Sequence, residues 1–174
     1  MLFMERLEEA KRWFLQCLRD FKAAQDSFRN GNYEWSCFQA QQAAGKALKA
    51  LLYAHGRSAW GHSLVELLNY LKDVEMVGEE FYVNARELDR HYIPSRYPNS
   101  FESGYPGMYY DEPTARRALE ACKRIIEWVR GVFLWVKMRP CYRRVFQQFL
   151  GCGFFKVSVG CEGKLVSLNG VGYG

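Results

Sequence analysis

Residues 88–100 read L-D-R-H-Y-I-P-S-R-Y-P-N-S, and no other stretch of the chain gathers as much chemistry. Arg96 can hold a phosphate through a charge-assisted fork of N–H donors. His91, five residues earlier, carries an imidazole, the side chain suited to taking or giving a proton near neutral pH. Tyr92 and Tyr97 can stack on a base or hydrogen-bond a sugar. A plainer account stands beside this one. Pro94 and Pro98 stop a helix, the tyrosines cover a bundle end, Arg96 pairs with an acid such as Glu102 or Asp111, and His91 is a helix C-terminal cation. A second group is Gln42, Lys46 and Lys49, spaced four and three residues apart and therefore on one helix face. With Arg96 they could form a basic anion site; alone they are a solvated lysine face.

These residues need a scaffold, and the pattern predicts an all-α antiparallel up-and-down bundle of about five helices over residues 1–137. Leu7, Ala10, Phe14, Cys17, Phe21, Ala24 and Phe28 form the stripe of a first helix, ended by Asn30-Gly31. A second helix runs from about Tyr33 to His55, with small residues along its stripe that admit a close neighbour. Short helices are expected over Ser63–Leu71, with His62 or Ser63 as its cap, and over about Gly78–Tyr92. A proline- and tyrosine-rich loop at 93–112 precedes a long last helix capped by Asp111, with Pro113 in its first turn. Within that loop Tyr105, Met108, Tyr109 and Tyr110 could cover a protein partner. Gly45 interrupts the second helix, and a close helix crossing would explain it.

The net charge of +5 divides unevenly. Residues 1–137 carry 19 basic and 18 acidic side chains, so the bundle is no general polyanion binder. Residues 138–174 carry five basic against one acidic and hold seven glycines, which reads as a basic, Gly-rich C-terminal extension, with F-F-K-V-S-V and K-L-V-S-L as the arms of a candidate β-hairpin. The six cysteines include no C-x-x-C pair, and Cys17, Cys37 and Cys122 fall on apolar helix faces as buried thiols. Neither a cofactor motif nor a metal-ligand cluster stands out. With no long apolar run and no secretory leader pattern, the expectation is a soluble, cytoplasmic protein with no membrane contact.

W-S-C-F-Q-A-Q-Q-A-A-G-K-A-L-K-A-L-L at 35–52, G-H-S-L at 61–64, Tyr92 and R-Y-P at 96–98, in that order, resemble the HEPN family of helical-bundle domains named for nucleotide binding. The resemblance covers about residues 5–136. It implies a homodimer that associates with nucleotide or RNA. It also implies a cognate minimal nucleotidyltransferase as partner, with this chain as the toxin-like half of a toxin–antitoxin pair. Many members are metal-independent ribonucleases with an R-x(4–6)-H motif. Here no histidine follows Arg96 at that distance; His91 precedes it. An active ribonuclease using Arg96 and His91, and a purely structural interaction module, are the rival readings. Arg57 to His62 matches the motif formally but lies in the turn before the third helix rather than in the family's active loop.

Overall fold

In a computed structural model the chain is described over residues 3–137, and among these there is no strand. The hairpin assigned to 138–174 lies outside the described residues. Five helices follow one another: α1 (Phe3–Arg29), α2 (Tyr33–Ala54), α3 (Leu64–Leu71), α4 (Glu79–Asp89) and α5 (Glu112–Lys137). Two single 3-10 turns, Pro98–Ser100 and Pro106–Met108, punctuate the loop before α5. No helix among the described residues is long and apolar enough to cross a membrane.

Helices α1 and α2 form an antiparallel hairpin. Gly31, at φ 75°, closes α1, with Gly31 N–H donating to Phe28 O and Asn32 N–H to Ser27 O. That pair of bonds satisfies carbonyls the helix end would otherwise strand, and only a residue tolerant of left-handed backbone makes it without strain. Near the turn, Ser36 Oγ donates to Ala24 O at 2.9 Å; at the far end the Trp13 and Tyr53 rings meet at 5.5 Å.

Helix α2 is the centre. Ala40, Ala43, Ala44, Ala47 and Ala50 are fully buried, so their small side chains let the neighbouring helices come in on several sides. Helix α3 brings Leu64, Leu67, Leu68 and Leu71 to the core, and α4 brings Ala85 and Leu88. Helix α5 reaches α1 through Phe14 and Phe133, whose rings meet edge-on at 5.4 Å, and α4 through Phe81 and Trp128, stacked at 4.5 Å. It starts as the sequence predicts, with Asp111 Oδ1 accepting from Thr114 N–H at 2.9 Å. Cys17, Cys37 and Cys122 are buried free thiols.

Helix α4 is shorter than its sequence pattern. It ends at Asp89, and the chain continues through Tyr92 in tight turns, with His91 N–H donating to Leu88 O and Tyr92 N–H to Asp89 O. Pro94 is the cause. Its ring clashes with the carbonyl four residues back, and it biases Ile93 away from helical backbone.

Candidate functional site

The start of α2, the start of α3, the end of α4 and the loop before α5 meet at one end of the bundle. Arg96 is half-buried there. Its Cζ lies 4.4 Å from the Phe38 ring centroid, 4.7 Å from that of Tyr92 and 5.0 Å from that of Tyr97. Its Nε–H donates to Tyr92 O at 2.9 Å. This fixes the plane of the guanidinium and leaves the Nη edge, where no hydrogen bond or ion pair occurs among the described residues. Asp111, one of the acids the sequence offered as a partner, instead caps α5, and its carboxyl is held below the usual carboxylate range chiefly by the bond from Thr114. A cation stacked on aromatic faces with an open donor edge is suited to a phosphate.

The aromatic surround is continuous. Trp35 lies edge-on to Phe38 at 6.1 Å, and Phe38 is 6.4 Å from Tyr92. Tyr97, beside the guanidinium, and Trp35, beyond Phe38, are each 47% exposed.

His91 is buried and faces elsewhere. Its Nδ1 is 3.3 Å from Tyr110 Oη, and its Nε2 has no hydrogen-bond partner among the described residues. Burial lowers its pKa, which disfavours the helix-terminal cation of the plainer account. No hydrogen bond or ring contact joins His91 to Arg96 among the described residues. Burial likewise raises the pKa of Tyr110.

The two lysines of the second group face α1 rather than Arg96. Lys46 pairs with Asp20 of α1, and Lys49 lies over the Trp13 ring of α1 at 5.5 Å. Desolvation, followed by the neighbouring Lys46, lowers the pKa of Lys49. Gln42 donates to Gln41 Oε1 at 2.7 Å. At 1.5 Å rise per residue, Lys46 and Lys49 sit roughly 12 and 16 Å along the α2 axis from Phe38. The two lysines therefore serve the α1–α2 seam, Gln42 joins Gln41 beside the turn before α3, and Tyr92, Arg96 and Tyr97 meet in one site.

Residues outside the predicted set hold that site in place. The Asp89 carboxylate, at the end of α4, accepts from Leu64 N–H at 2.9 Å, Val65 N–H at 3.3 Å and Ser63 Oγ at 2.9 Å. Buried Gln41 of α2 donates to His62 O at 2.7 Å and toward Asp89 at 3.4 Å. Ser63 is the N-cap of α3, as its sequence position suggests. The fixed turn lays the exposed His62 ring on Tyr92, with centroids 4.8 Å apart and planes 17° from parallel. Arg57, its formal motif partner, turns instead to Asp73 at 3.5 Å. The G-H-S-L turn hints at this clamp in the sequence, but nothing there shows its link to Asp89. Among the described residues no group of three His, Cys, Asp or Glu could hold a metal ion.

Similarity to known proteins runs over this same region. The HEPN domain family model matches residues 10–132. No curated protein matches the chain. Among solved structures, TT1696 from Thermus thermophilus is 39% identical, with a TM-score of 0.69 over 70% of this chain and 96% of that one. ST0689, an archaeal HEPN homologue, is 35% identical, with a TM-score of 0.60 over 70% and 95%. An HEPN domain protein from Thermotoga maritima, tm0613, is 30% identical, with a TM-score of 0.58 over 70% and 97%.

Proposed function

The chain belongs to the HEPN domain family, and from that premise we propose that it is a nucleotide- or RNA-associated homodimer, the toxin-like half of a toxin–antitoxin pair whose other half is a minimal nucleotidyltransferase. One observation carries the nucleotide reading: Arg96 is stacked among Phe38, Tyr92 and Tyr97, and its Nη edge has no partner among the described residues. Neither Glu102 nor Asp111 takes that edge among the described residues, and Asp111 caps α5 instead. The exposed faces of Trp35 and Tyr97 supply stacking surface for a base. The partner would cover, or covalently modify a tyrosine in, the loop at 92–110, where Tyr105 and Tyr109 are exposed.

Calorimetric titration with adenosine 5′-monophosphate (AMP) tests the reading. Binding by the wild type, weakened at least about tenfold in Arg96→Ala, is expected from the loss of charge-assisted hydrogen bonds. Arg96→Lys should recover little, since an ammonium has no plane to stack and no fork. Equal affinity in wild type and Arg96→Ala would refute the site. Light scattering reads the dimer. Slowed growth on expression of the chain alone, relieved by co-expression of its cognate minimal nucleotidyltransferase, reads the pairing.

A further inference from the structure

His62 is an exposed titratable side chain at this end of the bundle that the reading above leaves without a task. We propose that it is a second polar arm of the Arg96 site, offering a ring nitrogen to the sugar–phosphate of the nucleotide whose phosphate Arg96 holds. This inference rests on the assignment of Arg96 as a nucleotide site.

Three observations carry it. First, His62 and Arg96 both lie against the Tyr92 ring. The imidazole centroid is 4.8 Å and the guanidinium carbon 4.7 Å from the Tyr92 centroid, so their separation cannot exceed the sum, about 9.5 Å. Second, neither ring nitrogen of His62 makes a hydrogen bond among the described residues, and the ring is exposed. Third, the ring is held from behind. Gln41 fixes the His62 carbonyl, and Asp89 fixes Ser63 and Leu64 directly after it. An exposed histidine with its main chain clamped and its ring laid on a tyrosine is preorganised as few surface side chains are.

The same clamp says which groups face a ligand. The first N–H donors of α3, those of Leu64 and Val65, are spent on Asp89, so the helix end is not the anion site. Arg57 is engaged by Asp73. Among the described residues Arg96 and His62 are the polar side chains stacked on Tyr92. A bland alternative remains: His62 only shields the Tyr92 face. A phenyl ring would do that equally well, and the experiment is built on that difference.

The chain has three histidines, His55, His62 and His91, so their ring proton signals can be assigned by loss in single variants. AMP is added to wild type, His62→Phe, His62→Gln and Arg96→Ala, with affinity and ring signals followed together. Expected are a displaced His62 signal at saturation, a His55 signal that stays put, and about tenfold weaker AMP binding in His62→Phe despite retained stacking. His62→Gln, which keeps a hydrogen-bonding group, should fall between. If Arg96→Ala weakens binding while His62→Phe and His62→Gln match wild type, the His62 assignment is overturned and the Arg96 site survives. Failure of wild type to bind AMP overturns both. A misfolded His62→Phe, seen by circular dichroism, leaves the decision to His62→Gln and to the wild-type ring signal, whose immobility overturns the assignment.

Discussion

Replacing Asp89 should unfasten α3 and the site together. The carboxylate accepts two good bonds, from Leu64 N–H and Ser63 Oγ, both at 2.9 Å, and two long ones, from Val65 N–H at 3.3 Å and Gln41 at 3.4 Å. Bonds to a charged acceptor are each worth about 1.5–3 kcal/mol, and a lost N-cap about 1 kcal/mol. In Asp89→Ala the strandings are softened, because water reaches this part-exposed turn, Gln41 keeps its bond to His62 O, and Ser63 Oγ still caps Glu66 N–H at 3.4 Å. A net loss of about 2–3 kcal/mol follows, or roughly 10 °C in Tm for a domain of this size. Asp89→Asn keeps one acceptor but sets an NH2 group against N–H donors, so about 1–2 kcal/mol is expected. Ser63→Ala should cost less than either. Urea denaturation at constant m reads all three. The His62 ring signal in native Asp89→Ala should broaden or move as its backbone is released. A loss under about 0.5 kcal/mol in Asp89→Ala would refute the idea that this carboxylate organises the turn.

Other outcomes can be stated briefly. Gly45→Ala should stabilise the protein by up to about 1 kcal/mol, read by urea denaturation, because helix propensity gains and the added Cβ meets only the end of the Leu64 side chain, at 3.4 Å. Lys46→Ala and Lys49→Ala should leave AMP affinity within about twofold of wild type by calorimetry, since both lysines serve the α1 seam. The folded-state pKa of His91 is lowered by burial, so the unfolded chain takes up its proton first. Stability is full above the ordinary histidine range and falls as pH drops through it, by at most about 1.4 kcal/mol per unit for one group. Denaturation at pH 7 and 5 should show a shallower acid loss in His91→Phe than in wild type. Burial also pushes up the Cys17, Cys37 and Cys122 thiols, Cys37 to about 12. With Cys141, Cys152 and Cys161 changed to serine, a disulfide reagent at pH 7 should therefore label the chain only on unfolding.

The bundle was legible because its signals are local. Apolar stripes at three- and four-residue spacing, Gly31 after α1 and Asp111 before α5 each act within a turn or two of themselves. Helix α4 stops at Asp89, short of the Tyr92 that its periodicity marks, because the effect of Pro94 reaches back along the chain. The site was legible in part for a related reason. Arg96 and its tyrosines are neighbours in sequence, but the approach of His62 depends on Asp89 gripping a turn some 25 residues away. Likewise, shared spacing places Lys46 and Lys49 on one face but does not say that Asp20 and Trp13 wait opposite.

The run of buried alanines in α2 has a practical corollary. The interior is sealed by methyl groups at Ala40, Ala43, Ala44, Ala47 and Ala50, whereas the ring faces beside Arg96 rise from the first turns of the same helix, at Trp35 and Phe38. The rings and the run of methyl groups thus mark largely different stretches of one rod. A library varied at Trp35, His62 and Tyr97 could be screened for new ligands with little risk of losing folded clones, whereas any residue bulkier than alanine along the sealed stretch would be paid for in solubility.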